Sequence, residues 1–328
     1  MSEALLSVRD LETHFYTYQG VVQALSGVSF DVRLGEAVGL VGESGCGKSV
    51  TALSILGLIE PPGRIVKGEI RFEGQDLLRL TDRKMQDIRG RSISMVFQDP
   101  STYLNPVYTI GNQLSEIIHL HQKQSGAELR RRALEALALV RMPDPARVLS
   151  QYPLQLSGGM RQRCLIAMAL ACHPSLIIAD EPTTAVDVTI QAAILKLLGD
   201  LRHEMNMSLL LITHNLGIVA QLCDRVVVMY AGDIVETART KDLFRAPIHP
   251  YTKALLQAVP SVYHDPSTVL PSIPGMVPDL INPPPACRFH PRCSQAMELC
   301  RTIKPDLREV APDHYVAGHG CAMRCAES

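Results

Sequence analysis

The chain has 328 residues, 46% of them hydrophobic and 20% charged, with a formal net charge of −1. This is the composition of a globular protein and excludes a disordered one. A charge near zero supplies no electrostatic footprint for nucleic acid as the main partner, and no apolar run approaches the ~20 residues of a spanning helix. The opening MSEALLSVRD has an early acid and arginine and no long apolar core, so a secretory signal is not expected and the chain should stay in the cytoplasm. Work at a membrane would require another chain to hold it there.

Residues 5–40 read as short strands, because LLSVRDLETHF and VSFDVRLGEAVGLV alternate apolar and polar residues between glycines. VGLV is a continuous apolar strand that runs into a glycine-rich loop, and SVTALSILGLI follows as a helix. EIRFEG and SISMVFQ return to strands around a short helix, and from about 101 to 160 the chain turns mostly helical. LIIAD (176–180) is a second buried strand. The following DVTIQAAILKLLGDLRHEM places Ile190, Ala193, Ile194, Leu197, Leu198 and Leu201 on one helical face. SLLLIT is a third buried strand ending at His214. Strands alternating with helices imply a mostly parallel sheet covered on both faces. Beyond about residue 256 prolines become frequent and periodicity fades, which reads as a loop-rich tail.

The chemistry concentrates in a few stretches. Gly42-Glu43-Ser44-Gly45-Cys46-Gly47-Lys48-Ser49 has the spacing G-x-x-x-x-G-K-[ST], between a strand and a helix. Glycines let successive N–H groups point into a concave nest for phosphates, and the helix adds its positive end. Lys48 should reach the outer phosphates and Ser49 should ligate magnesium; Val50 beside it is counted with the nucleotide-binding set. LIIADE ends in two acids: Asp180 is suited to hold magnesium and Glu181 to polarise an attacking water. Cys46 is either a small residue that merely fits the loop or a thiol whose pKa the helix N-terminus depresses; on the second reading alkylating reagents are expected to inhibit and bound ATP to protect. Cys164, Cys172 and Cys223 are expected on helices in apolar company.

In LSGGMRQR (156–163), Ser157, Gly158 and Gly159 open a helix, either as an anion site or as a simple helix cap at Ser157. With this segment the chain resembles the ATP-binding cassette (ABC) family, whose signature motif it matches, over about residues 5–255. The resemblance implies an α/β fold: a RecA-like phosphate-loop ATPase core, an antiparallel β subdomain and a helical signature subdomain (about 101–160). It also implies two cassettes facing head to tail with two ATP molecules at their interface, each bound with Mg2+. By the same resemblance Gln98 contacts magnesium, Asp187 belongs to the cross-dimer loop, His214 is the switch histidine, and Phe15 stacks on adenine, with Tyr16 or Tyr18 as alternatives. Glu181, His214 and Gln98 form the catalytic set.

HPYTKALLQAVP, IPGMVPDL and CRFHPRC narrow the resemblance to ATPases of oligopeptide, dipeptide and nickel importers, closest to the dipeptide-type subunit. That implies an ATPase domain at 1–255 and an extension at 256–328. It also implies a second cassette subunit, two permeases, an extracytoplasmic solute-binding protein, and a peripheral place on the cytoplasmic face of the bacterial inner membrane. Peptides are the expected cargo, with nickel chelates and glutathione open. A soluble ATPase acting on nucleic acid or ribosomes, and a metal-cluster sensor, are the competing classes.

The chain has nine cysteines, an odd number that argues against a disulfide framework, and five fall in the last 42 residues. Cys287, Cys293, Cys300 and Cys321 lack the close pairing usual in structural zinc sites. In several members of the subfamily the matching four hold a [4Fe–4S] cluster; zinc and free thiols are the alternatives, and Cys325 is a fallback ligand. The tail histidines His290, His314 and His319 are expected to be solvated.

Overall fold

The N-terminal alternation produces two long strands where several short ones were expected: β1 (Ala4–Thr17) and β2 (Gly20–Arg33). The computed structural model describes residues 4–183, 187–258 and 272–319. In chain order there follow β3 (Ala37–Val41), α1 (Lys48–Ile55), β4 (Gly63–Phe72), β5 (Gln75–Asp76), α2 (Asp82–Ile88) and β6 (Ile93–Val96). A run of helices comes next: α3 (Pro100–Tyr103), α4 (Ile110–Gln122), α5 (Ala127–Leu139), α6 (Pro145–Leu149) and α7 (Gly158–Leu170). Then come β7 (Leu176–Asp180), α8 (Val188–Met205), β8 (Ser208–Thr213), α9 (Leu216–Leu222), β9 (Arg225–Tyr230) and β10 (Asp233–Arg239). The chain continues with α10 (Thr240–Arg245), α11 (Pro250–Gln257), α12 (Leu299–Thr302), β11 (Leu307–Ala311) and β12 (His314–Ala317). No described helix is long and apolar enough to cross a membrane.

The described residues form two compact units, one built on 33–36 and 79–211, the other on 4–32, 37–78 and 212–319. In the first, strands run in the order β8-β7-β6, with β6 and β7 parallel from Ile93 opposite Leu176 to Val96 opposite Ala179. Every residue of β7 and β8 is buried, which explains why both read as unbroken apolar runs. Ile194, Leu197, Leu198 and Leu201 of α8 are buried, each worth about 1.5–3 kcal/mol of removed apolar surface. Ala193, expected on that face, is exposed.

The second unit holds an antiparallel sheet ordered β2-β1-β4-β5. It also contains strands ordered β11-β12-β10-β9-β3. Only the β3–β9 pair is parallel among these; β9–β10, β10–β12 and β11–β12 are antiparallel. The sheet is therefore mixed, not mostly parallel. Helix α9 packs on β3 so closely that a Cβ on Gly39 would stand 2.8 Å from Val219.

The tail is not all loop, since β11 and β12 add a hairpin to β10. Beneath it Glu236 is fully buried and accepts hydrogen bonds from the backbone N–H of Ile248 (2.8 Å) and His249 (2.9 Å) and from His314 Nε2 (2.7 Å). His314 is thus a buried partner of a carboxylate, not the solvated side chain expected. A buried carboxylate stays charged only with such partners.

Candidate functional site

In the second unit, β3 delivers the chain into the glycine loop and α1 carries it away. Gly42 has φ +154° and a Cβ there would lie 2.2 Å from the carbonyl oxygen of Met229; Gly47 has φ +104° and its Cβ would meet the oxygen of Ala24 at 2.8 Å. Neither position admits a side chain. Lys48 is buried, and its ammonium donates to the carbonyls of Gly42 (2.8 Å) and Glu43 (3.0 Å). The amino group is thereby curled over the concave side of the loop. Ser44, Gly45 and Ser49 are exposed, and Val50 is half-buried. The cradle that a phosphate nest requires is present.

Cys46 follows the first of its two readings, a small residue that fits the loop. Its side chain is fully buried, and a Cβ on Gly42 would stand 2.8 Å from its Sγ. Burial pushes the Cys46 thiol up, against the lowering influence of Lys48. The helix end does not make it a reactive thiolate, because desolvation outweighs the favourable field.

Two neighbours of the loop were not among the expected site residues, although both lie in stretches that carry the resemblance. Tyr251 Oη accepts from the backbone N–H of Glu43 at 2.9 Å. Arg292, from the tail, closes a two-pronged contact on the Glu43 carboxylate, Nη1 to Oε2 at 2.8 Å and Nη2 to Oε1 at 3.1 Å. The rings of Tyr251, Tyr230 and Phe289 cluster around this point, with centroids 4.7 to 5.3 Å apart. His249 caps α11 by accepting from Tyr251 N (3.1 Å), with Pro250 in the first turn. The HPYTKALLQAVP stretch therefore places a tyrosine hydroxyl on the loop.

Phe15 lies opposite Gly63 in the β1–β4 pairing, and its ring fills the space a Gly63 side chain would need, 2.6 Å from that Cβ. Tyr16 is exposed, with the Arg64 guanidinium 5.9 Å from its ring centre, and Tyr18 is 97% exposed. His214 is exposed just beyond β8. Asn215 after it caps α9, accepting from Gly217 N (3.0 Å) and Ile218 N (3.3 Å).

In the first unit, Asp180 is buried at the end of β7, and Glu181 follows at φ +45°. A left-handed backbone is costly for a residue with a side chain, and here it belongs to one of the two acids. Gln98 Nε2 donates to Glu181 Oε2 at 3.1 Å. Ser157 is exposed and caps α7, its Oγ accepting from Met160 N at 3.3 Å. Gly159 lies against Ile190, 2.8 Å from where a Cβ would sit, so α7 and α8 touch there. Asp187 is exposed and caps α8 by accepting from Ile190 N at 2.9 Å; residues 184–186 before it lie outside the described residues.

The tail cysteines Cys287, Cys293 and Cys300 share one neighbourhood. The N–H of Cys287 donates to the carbonyl of Cys300 at 3.1 Å. Burial pushes Cys287 up to about 11, and repulsion from Cys300 and Cys293 adds to it; Cys293 is raised by burial and by Cys300. None of the three forms a disulfide. Among the described residues no group of three His, Cys, Asp or Glu side chains is disposed to hold a metal ion, and Cys321 and Cys325 lie outside those residues. Cys164 is buried in α7 as expected, whereas Cys172 lies beyond the end of that helix and is half-buried, and buried Cys223 follows α9.

The family model described as ABC transporter matches residues 25–184, and that described as Oligopeptide/dipeptide transporter, C-terminal region, matches residues 235–300. A dipeptide transport ATP-binding protein of Bacillus subtilis is 52% identical over 315 residues, 96% of this chain and 94% of that protein. An oligopeptide transport ATP-binding protein of the same organism is 50% identical over 313 residues, 95% of this chain and 87% of that one. Among solved structures, the post-hydrolysis dimer of an ATP-binding cassette bound to ADP and Pi aligns with a TM-score of 0.65 at 28% identity, over 72% of this chain and 98% of that one.

Proposed function

The chain belongs to the ABC transporter ATPases of the oligopeptide and dipeptide importer type, and from that premise we propose that it binds and hydrolyses ATP to power uptake of di- and oligopeptides through partner permeases. The observation that carries this reading is the pairing of a built phosphate cradle around Lys48 with a C-terminal region matching the importer model. Residues 1–255 act as the ATPase domain and 256–328 as the importer-specific extension. The working assembly has a second cassette subunit, two permeases and an extracytoplasmic solute-binding protein, and the chain sits peripherally on the cytoplasmic face of the inner membrane.

The residue roles are those the resemblance implies. The N–H groups of residues 44–49 and the Lys48 ammonium bind and orient the triphosphate, releasing Lys48 from its two carbonyls. Phe15, with Tyr16 beside it, offers a ring to the adenine. Glu181 holds the attacking water, and the Gln98 amide fixes its carboxylate in one orientation. His214 faces the terminal phosphate. Ser157, Gly158 and Gly159 supply the helix end that closes over the ATP of an opposing cassette, and Asp187 supports that junction. Ser49, Gln98 and Asp180 are a hydroxyl, an amide oxygen and a carboxylate, the hard oxygen donors that magnesium takes. Magnesium supplies neutralisation of the charge that builds on the phosphates during transfer.

The extension would hold a [4Fe–4S] cluster through Cys287, Cys293, Cys300 and Cys321. That reading rests on the resemblance and on three tail cysteines that form no disulfide and whose thiolate form is the ligand such a cluster takes; ligation would lend folding energy to a proline-rich segment.

Co-purification of the full chain with its membrane partners, reconstitution into vesicles and assay of peptide uptake tests the function. ATP-dependent uptake that Lys48→Ala abolishes is the expected result. ATPase activity that never associates with a permease, together with salt-sensitive binding to DNA or RNA, would overturn it.

A further inference from the structure

Arg292 stands immediately before Cys293, in the turn His290–Arg292 of the tail. Its side chain is 5% exposed, and that of Glu43, its partner in the phosphate loop, is 26% exposed. The guanidinium is held on every side. Its Nε donates to the carbonyl of Pro274 at 2.9 Å and its Nη2 to that of Ile273 at 3.2 Å. Nη1 also donates to the Tyr230 hydroxyl at 3.4 Å, and the group lies 5.7 Å from that ring's centre. A guanidinium fixed by main-chain carbonyls and an aromatic face is a rigid fork, not a swinging surface charge. Its turn is anchored as well: the neighbouring Arg288 is buried and donates to the carbonyls of Ala231 and Gln23.

The position of Glu43 gives this contact its meaning. Glu43 is the first residue after Gly42, and its carbonyl accepts from the Lys48 ammonium. A carboxylate there, left to itself, would place a negative charge beside the triphosphate and compete for Lys48. We propose that Arg292 is a positioning residue for nucleotide binding: it neutralises Glu43 and pulls its carboxylate away from the phosphate nest, which makes the cysteine-bearing extension a working part of the nucleotide site. This rests on the reading that the loop binds ATP.

The test measures ATP affinity by calorimetry on the full-length protein, with Glu181→Gln present throughout to stop turnover. Arg292→Ala is expected to weaken ATP binding about tenfold, because the freed Glu43 carboxylate then repels the phosphates across a partly screened distance. Adding Glu43→Gln to Arg292→Ala should restore affinity to within about threefold of the starting protein, because no unpaired carboxylate remains. A purely structural role would not be rescued this way. Unchanged affinity in Arg292→Ala, or a loss that Glu43→Gln leaves uncorrected, overturns the proposal. Should Arg292→Ala not fold, Arg292→Lys keeps the charge but cannot close the fork; an affinity loss of about threefold supports the proposal and none overturns it. A starting protein that binds no ATP overturns the nucleotide reading itself, and the proposal with it.

Discussion

Gln98 donates its side-chain amide to Glu181 Oε2 at 3.1 Å, joining two residues 83 positions apart. The bond orients a carboxylate whose own backbone is held at φ +45°. An acid fixed by both its backbone and a donor is preorganised for one task.

The two partners should therefore fail differently. Glu181→Gln is expected to retain ATP binding while turnover falls about a hundredfold or more, the share assigned to a positioned base. Gln98→Ala should lower kcat about tenfold, with the loss appearing in kcat more than in KM. Steady-state ATPase assays of the reconstituted complex check both; equal loss of binding in Glu181→Gln would refute the assignment.

Lys48 donates to two loop carbonyls, a contact it must exchange for phosphate oxygens. Lys48→Ala should reduce ATP affinity about a hundredfold, since a charge-assisted contact in a shielded site is lost. Its thermal stability without nucleotide should change far less, and ATP should no longer raise its Tm. Calorimetry with and without ATP reads both effects.

Cys46 should resist alkylation in the native protein, because its thiol is fully buried and raised by desolvation. Mass spectrometry after brief treatment with iodoacetamide should find Cys46 unmodified until denaturant is added. Modification at the rate of a free thiol would mean that the loop opens readily.

Acid should destabilise the fold through His249. Burial, only partly opposed by the Glu236 carboxylate, depresses its pKa from 6.5 to about 4. The unfolded chain therefore binds the proton more readily. The stabilisation is complete above about pH 6.5 and is lost as pH falls towards 4, roughly 3 kcal/mol over that interval. Glu236, held below its usual range despite its burial by His314 and two backbone N–H groups, loses its own share below that. His249→Asn keeps an acceptor near the Tyr251 N–H and removes the titration. Its Tm should fall less steeply between pH 6.5 and pH 4 than that of the wild type; parallel curves would show that the acid sensitivity lies elsewhere.

Protein purified without oxygen should carry about four irons and matching sulfide per chain, as a [4Fe–4S] cluster requires. Cys287→Ser, Cys293→Ser or Cys300→Ser should each lose most of both. Zinc in place of iron, or no metal at all, would refute the cluster and leave the nucleotide site standing.

What the sequence determined by itself was whatever chemistry lies on consecutive residues. The phosphate loop, the acids after β7 and the serine-glycine helix start are each contiguous, so their spacing already dictates which backbone groups converge. The buried strands β7 and β8 were equally legible, because a strand covered on both faces must be apolar throughout. The tertiary structure decided what depends on distant segments meeting. The hairpin of β11 and β12 was lost among prolines, since its pairing with β10 is a long-range choice. His314 lies 78 residues from Glu236, and only the fold makes it a buried partner. Cys46 shows the same limit from the other side: the helix field that acts on it is local and can be read from sequence. The desolvation that outweighs this field comes from packing. The Arg292–Glu43 contact spans 249 residues; no periodicity or motif encodes it, because ion pairing depends on distance in space.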